Sequence, residues 1–154
     1  MDIVLVAGLW LDASVWGDVA ARLQARGHHA VPVTLPGQGD GKTSATLGDQ
    51  VAAVVAAVDA AEKPMVVGHS AACSLAWLAA DARPAEISKV ALLGGFPSGD
   101  GEVYFDSSFP ARDGAVPSRA GPSSKAQIPP TWTTLRSWPS RRRPSRSPKG
   151  SPAE

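Results

Sequence analysis

The sequence predicts an α/β fold: a parallel, doubly wound sheet that stops after about the fourth strand. Two patterns carry this expectation. Short apolar runs at Ile3–Ala7, Met65–Gly68 and Val90–Leu93 suit strands buried on both faces. Between them lie stretches with helical apolar spacing and short links, giving the order β-α-β-α-β-α-β, which calls for right-handed crossovers and helices on both faces. A change of composition near residue 116 sets the limit.

Each element has a local cause. Ile3–Ala7 is a continuous apolar run closed by Gly8, and Leu9–Ala13 follows as a loop. From Ser14, the residues Val15, Trp16, Val19 and Leu23 keep helical spacing, and Gly27 suits the position just past a helix end. His29–Leu35 reads as a second strand. Pro32 places it toward the sheet edge, because proline has no N–H for the ladder. Pro36–Gly41 is rich in turn residues. Thr46 caps a helix whose apolar positions include Leu47, Val51, Val54, Val55 and Val58, ending near Glu62-Lys63-Pro64. Met65–Gly68 is a short strand, Cys73–Ala82 a helix ending before Pro84, and Val90–Leu93 a further buried strand closed by Gly94-Gly95.

Charge divides the chain in two. Residues 1–116 hold 7 Lys/Arg against 13 Asp/Glu, whereas residues 117–154 hold 8 Lys/Arg against Glu154 alone. The second segment also carries 8 Pro and 8 Ser in 38 positions, with only isolated apolar residues such as Ile128, Trp132, Leu135 and Trp138. It cannot bury enough surface to offset the entropy of ordering it. The expected organisation is a partial domain over 1–116 and a disordered Pro/Ser/Arg-rich tail over 117–154. An abrupt switch to Pro, Ser and Arg is what an out-of-frame reading of a GC-rich gene yields, so a frameshifted or truncated product is expected. Resequencing the locus tests this.

The single Cys73 has no intramolecular disulfide partner. Met1-Asp2 leads directly into Ile3-Val4-Leu5-Val6, without the basic start of a signal peptide, and no segment has the length of a membrane span. A cytoplasmic location, no membrane contact, no cofactor and no metal are the corresponding expectations; the oligomeric state is left open.

The informative stretch is Met65-Val66-Val67-Gly68-His69-Ser70-Ala71-Ala72-Cys73, which reads as strand, tight turn and helix with Ser70 at the apex of Gly-x-Ser-x-small. A nucleophile on such a turn sits in strained backbone, and the residues two positions either side, Gly68 and Ala72, must be small because they approach closely. The turn also aims the Ala71 N–H and the start of the next helix at a developing oxyanion. The bland alternative is a serine at the start of an ordinary helix.

With Ala7-Gly8-Leu9-Trp10 followed by Trp16, and Leu35-Pro36-Gly37 after the next strand, the elbow at 66–72 resembles the α/β-hydrolase superfamily, in particular its small esterase-like members. The resemblance covers roughly residues 2–116. It implies a sheet of α/β-hydrolase type and a serine hydrolase acting on an ester or related acyl substrate, with Ser70 catalytic. It also implies an oxyanion hole made by the N–H groups of Leu9 and Ala71, with Trp10 the alternative first donor. Gly68, His69 and Ala72 flank the elbow. Ala7 stands where the family often has histidine, a residue that would orient this loop.

Such a serine needs a base to take its proton and a carboxylate to orient that base, in chain order Ser, Asp/Glu, His. All three histidines, His28, His29 and His69, precede Ser70. His69 is expected to face the pocket wall or solvent. His28 and His29 are expected as exposed turn residues at the opposite end of the sheet. Asp100, or Asp106, is the candidate acid, with no histidine after it to orient. The chain as it stands is therefore expected to be weak or inactive. Its alternative role is a catalytically inert binding module. Cys73 is a second nucleophile by position, but three residues past the elbow it reads as a small buried hydrophobe. The basic run Pro139–Arg146, with Trp132 and Trp138, could attract phosphates without specificity; no specific nucleic-acid partner is expected.

Overall fold

The computed structural model describes residues 1–99, 102, 104, 116, 117, 127 and 128. Four strands, β1 (Asp2–Val6), β2 (His29–Val33), β3 (Met65–His69) and β4 (Lys89–Leu93), pair in parallel in the order β2-β1-β3-β4. Helix α1 (Gly17–Gln24), entered through a 3₁₀ turn at Ala13–Trp16, joins β1 to β2. Helix α2 (Leu47–Asp59) carries the chain from β2 to β3, and α3 (Ala72–Ala82) from β3 to β4. The α/β doubly wound reading therefore holds. The winding reverses between β1 and β3, so the crevice beyond their carboxyl ends is where an open α/β sheet binds ligands.

Alternation along the strands explains the two faces. Val4, Val6 and Val66 pack with α2 and α3, whereas Ile3, Leu5, Ala7 and Val67 pack with Trp16 and Ala20 on the other side. Every residue from Ile3 to Ala7 is buried, which is why β1 reads as an uninterrupted apolar run. Pro32 lies opposite Leu5 in edge strand β2, as its missing donor requires.

Helix α2 starts on a capping box. The Thr46 hydroxyl accepts from the Asp49 N–H at 3.2 Å, and the Asp49 carboxylate accepts from the Thr46 N–H at 2.8 Å. Its end is tied to that of α3 by Arg83, which donates to Asp59 at 2.7 and 3.0 Å.

The details differ from expectation in four places. The first helical stretch is split, because Asp12 accepts from Ser14 N at 2.8 Å and caps a 3₁₀ turn before α1 begins. Strand β4 is half-exposed rather than buried: among the described residues only β3 pairs with it, and Leu93 is 45% exposed. Val116–Pro117 (β5) pairs antiparallel with Gln127–Ile128 (β6), setting Val116 opposite Ile128. This ladder straddles the compositional boundary at residue 116, and the remaining residues of 117–154 lie outside the described ones. Lastly, His29 is exposed beside Asp2 (3.4 Å), but His28 is half-buried, with Nδ1 inaccessible and without a partner among the described residues. No described helix is long and apolar enough to cross a membrane.

Candidate functional site

Ser70 is the first of the two turn residues, Ser70 and Ala71, between β3 and α3, and sits at φ 55°, in the left-handed region that a serine rarely adopts. Hydrogen bonds hold it there. Its N–H donates to the Leu93 carbonyl at 2.8 Å, and its own carbonyl accepts from the Cys73 N–H at 3.0 Å. The small flanking residues have the expected cause. A Cβ on Gly68 would lie 2.5 Å from the Ala72 carbonyl oxygen and 2.9 Å from the Ala76 Cβ. A helix-capping serine would need none of this: the N-cap of α3 is Ala71, and no side chain caps it.

The loop after β1 meets this turn directly. A Cβ on Gly8 would fall 2.8 Å from the His69 carbonyl oxygen and 2.9 Å from the Ser70 Cβ. Only a bare Cα allows that approach. The next two residues, Leu9 and Trp10, are half-buried, and Trp10 is itself at φ 63°. The Leu11 N–H donates to the Gly8 carbonyl at 3.2 Å, and the Trp10 indole donates to the Val116 carbonyl at 3.2 Å. Among the described residues neither the Leu9 nor the Ala71 N–H has an acceptor. The His69 ring stands edge-on to Trp16, centroids 6.3 Å apart at 89°.

Cys73 is fully buried under the elbow, its thiol 3.3 Å from the Gly68 carbonyl. Burial pushes that thiol's pKa up, against the thiolate a nucleophile needs. Asp100 and Asp106 lie outside the described residues. Among the described residues no group of His, Cys, Asp and Glu is placed to hold a metal ion.

Sequence reasoning missed four contributors. A Cβ on Gly95 would sit 2.5 Å from the Ser70 carbonyl oxygen, so this glycine lets the β4 exit run against the elbow. The doubled glycine was its signal. Tyr104 is buried in the core on the α2/α3 side, and burial holds its phenol well above its ordinary pKa. Gln38 and Gln50 are buried polar residues, at 4% and 0% exposure. Gln38 Nε2 donates to the Gly8 carbonyl at 3.2 Å, and Gln50 Nε2 to the Pro36 carbonyl at 3.0 Å.

A strained serine on a strand-to-helix turn, at the carboxyl edge of a parallel sheet and against the first-strand loop, defines the nucleophile-elbow class of α/β proteins. The chain belongs to the alpha/beta hydrolase family, whose match runs over residues 3–153 and so takes in the Pro/Ser/Arg-rich segment as well. Among solved structures it is similar to an extracellular α/β-hydrolase from a Paenibacillus species, at 23% identity and TM-score 0.62, covering 67% of this chain and 44% of that one. That hydrolase is described as sharing structural and functional homology with tobacco salicylic acid binding protein 2. It is also similar to the pyrethroid hydrolase PytH (22% identity, TM-score 0.60, 67% of this chain and 43% of that one). Polyneuridine aldehyde esterase is a third (23% identity, TM-score 0.58, 62% and 40%). The chain thus spans less than half the length of each. A search of curated proteins found no match.

Proposed function

We propose that this chain is a serine hydrolase of ester-like or related acyl substrates, acting through Ser70, and that its activity is impaired. The observation that carries the reading is Ser70 at φ 55° with Gly8 packed against its Cβ. Ser70 Oγ attacks the acyl carbon, and the N–H groups of Leu9 and Ala71 receive the negative charge that develops on the carbonyl oxygen. The esterase and hydrolase names of the solved neighbours support a small ester-like substrate.

Impairment follows from proton transfer. A serine hydroxyl is a weak nucleophile at neutral pH unless a base takes its proton. His69 is engaged with Trp16, His29 lies beside Asp2 at the amino end of β1, and the sequence has no histidine after Ser70. The same observation favours the second reading, an inert module that binds acyl ligands in the family's pocket. A fluorophosphonate probe and p-nitrophenyl acetate turnover, each with Ser70→Ala as control, separate the two. Weak turnover that disappears in Ser70→Ala supports the hydrolase. In triad enzymes that lose one member the remaining acceleration is about 10³–10⁴-fold over water. Equal rates in the two chains support the inert module.

A further inference from the structure

We infer that Gln38 is a positioning residue that aims the Leu9 N–H at Ser70; this rests on the reading of Ser70 as nucleophile and Leu9 as oxyanion donor. The Gly8–Leu9 peptide is one rigid plane, and in a trans peptide the C=O and N–H point in opposite directions. Whatever holds the Gly8 carbonyl therefore also sets the direction of the Leu9 N–H. Two donors hold it, Gln38 Nε2 at 3.2 Å and Leu11 N at 3.2 Å. The Gly8 Cα itself packs against the elbow, where a Cβ would meet the His69 carbonyl oxygen at 2.8 Å and the Ser70 Cβ at 2.9 Å, and the Leu9 N–H has no acceptor among the described residues.

Gln38 is itself held by a braced loop. The Asp40 carboxylate accepts from Gly37 N at 3.0 Å and from Lys42 N at 2.9 Å, closing the turn around it. Gln38 N donates to the Leu35 carbonyl at 3.3 Å, and the fully buried Gln50 holds the Pro36 carbonyl at 3.0 Å. The chemistry of Gln38 is poorly suited to packing alone. Its Oε1 is buried without a partner among the described residues, an arrangement that a methionine of similar volume would avoid. What glutamine supplies and methionine does not is the donor to Gly8.

The test uses the full chain, ¹⁵N-labelled, with Gln38→Met, which removes the donor, and Gln38→Glu, whose carboxyl donates only when protonated. In Gln38→Met the Leu9 amide resonance moves, because the peptide plane it shares with the Gly8 carbonyl is released, while Ala71 changes little. The Ser70-dependent kcat for p-nitrophenyl acetate falls about 10-fold with KM within about twofold, because an oxyanion contact is made only in the transition state. Gln38→Glu shows the same changes at pH 8 and reverses them as the pH is lowered through its carboxyl titration, a reversal absent from Gln38→Met. An unmoved Leu9 amide in both variants, or Leu9 and Ala71 moving together, overturns the inference. So does an unchanged kcat in a chain whose Ser70→Ala control establishes serine-dependent turnover. If wild type and Ser70→Ala turn over equally, the proposed function falls alone, since the Leu9 amide is read without substrate.

Discussion

Replacing Gly68 with alanine tests whether the elbow is as tightly built as its contacts imply. The added Cβ would meet the Ala72 carbonyl oxygen at 2.5 Å, the Ala72 carbonyl carbon at 2.9 Å and the Ala76 Cβ at 2.9 Å. None of these atoms belongs to a flexible side chain, since the Ala76 Cβ is fixed to the helix backbone, so relief requires moving the start of α3. That turn is tied to Ser70 through Cys73 N, and Ser70 is tied to β4 through Leu93. Overpacking of this kind costs about 1–3 kcal/mol, and immobile backbone puts Gly68 at the upper end. Alanine restrains the unfolded chain more than glycine and returns about 0.5–1 kcal/mol. The expected net loss is about 2 kcal/mol, which at about 2–4 °C per kcal/mol for a chain of this length is a fall in Tm of roughly 4–8 °C. Gly48→Ala is the control. It lies exposed in the first turn of α2, its added Cβ no closer than 3.5 Å to the Thr46 hydroxyl, and its Tm should rise by about 1–4 °C. Melting curves followed by circular dichroism read both. A Gly68→Ala chain melting within about 2 °C of wild type, or shifting with Gly48→Ala in the same direction, would refute the close-approach account.

Two further outcomes follow from the same structure. Ser70→Gly relieves a left-handed residue whose strain is about 1–2 kcal/mol, against the smaller entropic cost of glycine, so its Tm should rise while serine-dependent labelling is lost; a lower Tm counts against strain at Ser70. The carboxyls of Asp49 and Asp59 are held below their ordinary value, Asp49 by the Thr46 N–H and hydroxyl and Asp59 by Arg83. The stability they add is present above the unfolded carboxylate value of about 3.9 and is lost as pH falls through their folded values. A Tm profile between pH 6 and 3 should therefore drop at its acid end, and drop less in Asp49→Asn/Asp59→Asn.

What was legible in the sequence depended on local rules. The buried run Ile3–Ala7, the edge position forced by Pro32 and the cap at Thr46 each follow from the chemistry of one or a few residues, and the structure has them all. Ser70 was legible because strand, small residue, serine, small residue and helix occur in contiguous order. Gln38 was not. It sits in a loop that reads only as turn residues, and its role depends on a carbonyl 30 positions away. The exposure of β4 was equally hidden, since an apolar run looks the same whether or not a neighbour pairs with its outer side. Tyr104 entered the core from a stretch with no periodicity to announce it.

On the proposed function, the two halves of a serine hydrolase site separate here by physical origin. Oxyanion stabilisation needs backbone N–H groups in fixed directions, and the backbone around Ser70 is fixed from β1, β4 and the loops beyond them: Gly8 against Ser70, Gly95 against the Ser70 carbonyl, and Gln38 on the Gly8 carbonyl. Two of these are close approaches that only glycine permits and the third is a hydrogen bond, and all lie within residues 8–95. Proton removal is different, since it requires a side chain of suitable pKa within hydrogen-bond reach of Ser70 Oγ. Among the described residues no hydrogen bond joins the Ser70 hydroxyl to a histidine: His69 is edge-on to Trp16, His29 is beside Asp2, and His28 has its Nδ1 enclosed. A chain of this kind should bind an acyl transition-state analogue better than it turns over the corresponding ester, because the analogue draws on the half of the site that the sheet provides.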